Sequence, residues 1–427
     1  MIDFSDYIKE LGKLVSFNTV LSAPEENAPF GKETKAALEY FLSLASSFGF
    51  ETINYDNYIG EAVFGEGEEI GVIGHLDVVP TGDGWLTDPF TLTFKNGEYY
   101  GRGVSDDKGP LLMCLYAMKA LKDSGVKPKV KFRLIAGCNE ETGWKDVEYM
   151  KKVATFPKLG FSPDGDFPLS YAEKGVYIVK FYLPALKNFS RLSGGTVINA
   201  VCDRAEAYAA DGGINEPLIL KHGLMLGENG KITSVGKAAH GSHPEMGVNA
   251  LDALFAYFTD VGENVKTFYD CVIQDETGLR NLKNEQSGVT LSPDIIEEKD
   301  GEIVVSCDMR VPAPFTYDDV KPYLVKTGLK FTAEEKHPPF MAEKYCPFSE
   351  ALVKAYAEVT GEADAKPFPM GGSTFARVFE KGYSFGVDSL MGYVANMHQA
   401  NEKMDEATMK KAIEIYEKAF FNLAKGI

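Results

Sequence analysis

A chain of 427 residues, 44% hydrophobic and 25% charged, is long enough for two or three folded cores and too apolar for extensive disorder. Its formal net charge of −18 argues against nucleic acid or an anionic membrane as partner, because either is repelled. Six scattered cysteines without a CxxC pair read as reduced thiols, no apolar run approaches the ~20 residues of a membrane span, and the N-terminus lacks the pattern of a secretion signal, so the expectation is a soluble, cytoplasmic protein.

In chain order, Ile8, Leu11, Leu14 and Val15 mark one face of an opening helix. Ala37, Leu38, Phe41, Leu42 and Ala45 mark a second, which Gly49 ends. The segments ETINY, EAVFG and EIGVIGH read as strands. Asp106-Asp107-Lys108-Gly109-Pro110 then leads into LLMCLYAMKALK, a buried helix with Pro110 in its first turn. KVKFRLIAG alternates as a strand does. From about Tyr177 to Pro339 the texture changes. Strand-like segments surround the helical GVNALDALFAYF, and GVTLSPDIIEEKDGEIVVSCDMRVP reads as a hairpin. Helices in SEALVKAYAEVTG and ATMKKAIEIYEKAFFNLAK close the chain. The pattern predicts a mixed-sheet α/β domain, residues 1–176 and 340–427, interrupted by an inserted α+β domain, residues 177–339.

The chemistry-bearing residues fall at the ends of these elements. His75 ends EIGVIGH, Asp106 and Asp107 precede a helix, Glu140 and Glu141 follow a strand, Asp164 follows KLGFSP, and His398 lies late in NMHQANEKM. Several therefore stand just beyond the carboxyl ends of predicted strands, where open α/β sheets build their sites. Singly, each has an ordinary reading: a structural histidine, a solvated acidic turn, or for Asp107 an acid favoured at a helix N-terminus. As a set, imidazoles and carboxylates without thiolate suit zinc, manganese or cobalt in a hydrolytic site. Two divalent ions would balance three ligand carboxylates and one hydroxide, which is how a buried cluster of acids becomes tolerable. There is no GxSxG elbow and no recognisable cysteine nucleophile.

The strings GHLDVVPTGDGW, YGRGVSDDKGP, NEETGW, SPDGDFP, AAHGSHPEMGVNA, GGSTFAR and MHQANE resemble, in order and approximate spacing, those of the co-catalytic metallopeptidases. That family contains carboxypeptidase G, acetylornithine deacetylase, succinyl-diaminopimelate desuccinylase and the peptidase V-type dipeptidases, and SPDGDFP followed by EKG points to the peptidase V branch. The resemblance implies a catalytic domain with an inserted lid and two divalent metal ions, zinc foremost. His75, Asp106 and Asp164 would hold one ion. Asp106, bridging, would hold the other with Glu141 and His398, and Asp107 would follow through a cis peptide. Asp77 would orient the His75 ring, and Glu140 would be the general base for a water between the ions.

From the lid, the resemblance implies that His240 stabilises the oxyanion while Asn199 and Arg310 contact substrate. Gly371, Gly372, Ser373 and Thr374 would bind a peptide's terminal carboxylate, although Ser373 stands where the family's dipeptidases usually carry glycine. His243 has no clear counterpart, and His222 and His337 belong to no motif. The implied activity is hydrolysis of short peptides, dipeptides foremost, by a monomer. An N-deacylase or carboxypeptidase of the same family, or a non-catalytic scaffold, are the alternatives.

Overall fold

The computed structural model describes residues 2–210, 214–239, 241, 243–284, 287–388 and 390–426. The chain forms two compact units, one of Met1–Tyr171, Met341–Met370 and Thr374–Ile427, the other of Ala172–Phe340 with Gly371–Ser373.

At the centre of the first unit's sheet is Glu68–His75, parallel to Val130–Gly137 on one side and to Leu159–Ser162 on the other. Lys381–Ser384 continues the sheet parallel to Leu159–Ser162. In the other direction Ile59–Gly65 runs antiparallel to Val130–Gly137, and Glu51–Tyr55 antiparallel beyond it. The sheet is therefore mixed. Its central strands are covered on both faces, which explains why Ile70, Val72, Ile73, Phe132, Leu134 and Ile135 form near-continuous apolar runs, all fully buried.

The helices follow the apolar periodicity. Phe4–Val15 starts on Asp3, whose carboxylate accepts the N–H groups of Ser5 and Asp6. Lys32–Ser47 is followed by Phe48 and then by Gly49 at φ +79°, the left-handed stop that glycine permits. Lys108–Asp123 takes Pro110 in its first turn and is buried along nearly its whole length. Pro347–Thr360 and Glu406–Leu423 pack on one another, and the latter also packs on Lys108–Asp123. Two features were not predicted: the short helix Lys145–Val153, and a small antiparallel sheet of Thr93–Lys95, Glu98–Tyr100 and Lys403–Asp405. Pairing of Lys403 with Tyr100 ties the end of the chain to the turn before Asp106.

The second unit is built on an antiparallel sheet. Its strands include Arg204–Ala209, Phe189–Gly194, Thr290–Lys299, Glu302–Val311, Gly175–Pro184 and, at the edge, Lys330–His337, in that order. The predicted hairpin pairs Lys299 with Glu302 across Asp300 and Gly301. Both turn residues have positive φ, 52° and 79°, which suits a tight two-residue turn. Helix Ala250–Asp260 starts on the Asn249 side chain and buries Phe255 and Phe258 beside Phe268, Phe181 and Phe189.

Candidate metal centre

The parallel pairing aligns His75 with Gly137, so the ends of two central strands and the turns beyond them emerge together. Two glycines make room there. A Cβ on Gly74 would meet Asp107 Oδ2 at 2.1 Å, and one on Gly137 would meet Phe375 Cε2 at 2.4 Å and Asp146 Oδ2 at 2.8 Å.

Asp106 stands between the two imidazoles. His75 Nε2 is 3.0 Å from its Oδ1 and His398 Nε2 is 3.0 Å from its Oδ2. His398 Nε2 also lies 3.2 Å from Glu141 Oε2, and His75 Nε2 lies 3.8 Å from Asp164 Oδ2. The Asp106–Asp107 peptide is cis, as the resemblance implied, and Asp107 Oδ2 accepts the His75 backbone N–H at 3.1 Å. Among the described residues nothing hydrogen-bonds Asp107 Oδ1. His398 itself has φ +59°, an uncommon conformation for a side-chain-bearing residue and one that recurs at functional sites.

The donor set suits cations. Two ligand atoms bound tetrahedrally at ~2.1 Å to one ion lie about 3.4 Å apart, and the four imidazole–carboxylate spacings, 3.0, 3.0, 3.2 and 3.8 Å, bracket that value. Protonation gives the same answer. His75 Nδ1 faces the Asp77 carbonyl oxygen at 3.0 Å, so Nδ1 carries a proton and donates it. Nε2 then meets a carboxylate, which requires either a second proton or a metal cation between them.

The titration behaviour reflects the same crowding. Burial alone would lower both histidine pKa values. The hydrogen bond to Asp106 instead holds His75 well above its ordinary value, and those to Asp106 and Glu141 push His398 up to about 12. Burial would raise Asp106, but His398 and His75 hold it far below the usual carboxylate range. Glu140 goes the other way, pushed well up by burial and by Asp164, Glu141 and Asp77 despite the attraction of His75.

Carboxylate oxygens of Glu140 and Asp164 and a His75 ring nitrogen lie within 4.8 Å of one another, and so do those of Asp106, Glu141 and His75. Glu140 thus belongs to the same cluster as Asp164. Proximity alone does not separate a base from a ligand. The pairing of both Asp106 oxygens with imidazoles does favour Asp106 as the shared group.

The turn that carries Glu140 and Glu141 is held by two buried acids. Asp146 Oδ2 accepts the N–H groups of Cys138 and Asn139 at 2.7 and 3.0 Å. Asp77 Oδ1 and Oδ2 accept those of Glu140 and Glu141 at 3.0 and 3.1 Å. The Asp77 carboxylate lies 3.6 Å from His75 Nδ1, farther than the Asp77 carbonyl, so its shorter bonds go to the acidic turn. Sequence reasoning missed Asp146, Arg102 and Glu402, and also Asp388, whose carboxyl is pushed well up by burial and by Asp166, Asp164, Asp106 and Asp107. Glu402 had a signal: it is the last residue of the MHQANE string that supplies His398.

In the second unit Arg310 is buried, and its Nε and Nη2 bind Asp308 in a fork at 2.8–3.0 Å. The Asn199 carbonyl accepts the Gly241 N–H at 2.7 Å, and a Cβ on Gly241 would meet Asp308 Oδ2 at 2.2 Å. These segments therefore lie together. The expectation for His240 falls outside the described residues. His243 is exposed beside Glu245, and His222 is half-buried against Asp260. Gly372 and Ser373 are half-buried, and among the described residues the Ser373 hydroxyl has no hydrogen-bond partner. The Thr374 hydroxyl accepts the Ala376 N–H at 3.1 Å and shares a hydrogen bond with Ser384 at 3.0 Å, so it already caps the turn that follows.

Among the described residues no helix is long and apolar enough to cross a membrane. The chain is 30% identical to a Beta-Ala-Xaa dipeptidase of Lactobacillus delbrueckii subsp. lactis, over 98% of this chain and 96% of that protein. It is also 30% identical to the putative dipeptidase YtjP of Bacillus subtilis strain 168, over 98% and 97%. An M20 family metallo-carboxypeptidase from Sulfolobus solfataricus, Sso-CP2, shares the fold with a TM-score of 0.59 at 17% identity, over 98% of this chain and 99% of that one. The family model for peptidase family M20/M25/M40 matches residues 71–422, and the chain belongs to that family.

Proposed function

We propose that this protein is a metal-dependent dipeptidase that hydrolyses the amide bond of short, unblocked peptides. The observation that carries the reading is the pair of imidazoles, His75 and His398, facing opposite oxygens of the buried Asp106 carboxylate. Similarity to named dipeptidases over nearly the whole chain supports the substrate class.

His75, Asp106 and Asp164 would hold one divalent ion, and Asp106, Glu141 and His398 a second, with zinc as the first choice and manganese or cobalt as alternatives. When bound, such ions acidify water and polarise a carbonyl. Glu140 receives the proton of the attacking water and passes it to the departing amine, a role supported by its place in one cluster with Asp164 and His75. Asp77 keeps Glu140 and Glu141 in place through their backbone N–H groups. Arg310 and Asn199 recognise substrate, Arg310 through its carboxylate, and Gly372, Ser373 and Thr374 add contacts there. His240 serves the oxyanion. The protein acts as a monomer in the cytoplasm, and sedimentation at assay concentration should show one species near 46.9 kDa.

The deciding experiment is an assay of the zinc- or manganese-loaded protein on dipeptides, tripeptides and N-acyl amino acids. Dipeptides are expected to be cleaved fastest. Cleavage confined to N-acyl substrates would overturn the reading in favour of an N-deacylase.

A further inference from the structure

Glu402 is 1% exposed, and its carboxylate collects four backbone hydrogen bonds and an ion pair. Oε1 accepts the N–H groups of Gly103, Ser105 and Asp106 at 3.0, 2.9 and 3.2 Å. Oε2 accepts the Gly103 N–H at 3.0 Å and Arg102 Nη1 at 2.8 Å. A buried charge is tolerated only when paired and hydrogen-bonded, and Arg102, also 1% exposed, supplies the pairing. Arg102 is in turn fixed by the Pro80 carbonyl at 3.2 Å and lies 5.3 Å from the centre of the Trp85 ring.

The turn that Glu402 gathers is the one that delivers Asp106. Glu402 also stands four residues after His398, in a segment whose Asn401 clips the neighbouring loop by accepting the Leu86 N–H at 2.7 Å and donating to the Gly84 carbonyl at 3.1 Å. One short stretch of chain therefore supplies an imidazole and also anchors the backbone of the carboxylate that this imidazole faces.

We propose that Glu402, neutralised by Arg102, is a positioning residue of the metal centre: it fixes the distance between the Asp106 carboxylate and the His398 ring, and so sets metal affinity. The inference rests on the reading of Asp106 and His398 as ligands and on no assumption about substrate. A charge-neutralised core pair with no bearing on the centre would change only stability.

The test is E402Q. Its amide keeps one acceptor oxygen, but its NH2 group must face either the backbone N–H groups or Arg102, donor against donor. The expected result is a 10–100-fold weaker Zn2+ affinity at one site or both, measured by competition with a chromophoric chelator. The visible spectrum of the Co2+-loaded variant should also change, with the circular dichroism spectrum retained and E402D recovering part of the affinity. E402Q with wild-type Zn2+ affinity and an unchanged Co2+ spectrum, whatever its melting temperature, would overturn the proposal. Should E402Q not fold, R102K keeps the positive charge but loses the two-armed guanidinium that spans Glu402 and the Pro80 carbonyl, and wild-type metal affinity in R102K overturns the proposal equally. Wild-type protein that takes up neither Zn2+ nor Co2+ sinks the ligand assignment before any variant is made. Normal metal uptake without dipeptide cleavage removes only the proposed substrate.

Discussion

Asp77 and Glu140 are joined through the backbone: Asp77 Oδ1 accepts the Glu140 N–H at 3.0 Å, while Oδ2 accepts the next N–H, that of Glu141, at 3.1 Å. One carboxylate thereby fixes two neighbouring acids for which different roles are proposed. Asp77→Asn keeps one acceptor and turns an NH2 group towards a backbone N–H. Turnover should fall roughly 10–100-fold with unchanged secondary structure. Stopped assays and circular dichroism on the same preparations check this, and unchanged turnover would refute it.

Glu140→Ala separates base from ligand. A base lost at full metal occupancy should reduce turnover by ~10²–10⁴-fold. Metal stoichiometry, measured by elemental analysis after dialysis, should stay at the wild-type value. A fall in stoichiometry would make Glu140 a ligand, as its proximity to His75 and Asp164 allows.

Arg310→Ala should act mainly on substrate binding. A terminal carboxylate is present in ground and transition states alike, so KM should rise more than kcat falls. Arg310→Lys should not restore the wild-type KM, because lysine cannot reproduce the two-pronged grip on Asp308. Steady-state kinetics on both variants decides the point.

Metal removal should destabilise the fold. A ligand at a thousandfold excess over its Kd stabilises the native state by about 4 kcal/mol. Chelated protein should therefore melt at a lower temperature and regain stability on titration with Zn2+ or Mn2+, as followed by calorimetry. A melting temperature indifferent to metal would count against the centre.

Asp146 gives a pH dependence of defined sign. Burial, followed by the nearby Asp77 charge, raises its carboxyl to about 7 from an ordinary value of 3.8. Between those values the folded state holds a proton that the unfolded chain has released, so stability from this group is present below about pH 4 and lost by about pH 7. The loss is on the order of 4 kcal/mol. Asp146→Asn imitates the protonated acid, keeping an acceptor for Cys138 and Asn139. In metal-free protein its stability relative to wild type should rise from pH 4 to pH 7 and then level, which urea unfolding at several pH values would show.

The legible parts of this molecule are those written in local pattern. EIGVIGH reads as a compact apolar segment and KVKFRLIAG as an alternating strand, so the ends that carry His75, Glu140 and Glu141 could be found from the chain alone. The hairpin at Asp300 and Gly301 was equally plain. Glu402 and Asp146 were not, because what distinguishes them is the set of backbone N–H groups they meet, and those partners are fixed by tertiary register. Gly103 lies 299 positions from Glu402. Asp77 was legible as a residue of the site, but not in the detail that its carboxylate favours the acidic turn over the imidazole. The helix Lys145–Val153 and the three-stranded sheet are too short for periodicity to declare them.

The strand Lys381–Ser384 lies parallel to Leu159–Ser162, yet the second unit, Ala172–Phe340, is made between them. At ribosomal speeds of ~5–20 residues per second, the intervening stretch takes roughly ten to forty seconds to synthesise. Throughout that time one edge of Leu159–Ser162 waits without its eventual neighbour, and His398 has yet to be made. Biosynthesis thus imposes an interval in which the first unit presents an open strand edge, the kind of surface that recruits other chains. Slowing translation after Ala172 should lengthen that interval and raise the aggregated fraction, and supplying residues 341–427 as a separate polypeptide should lower it.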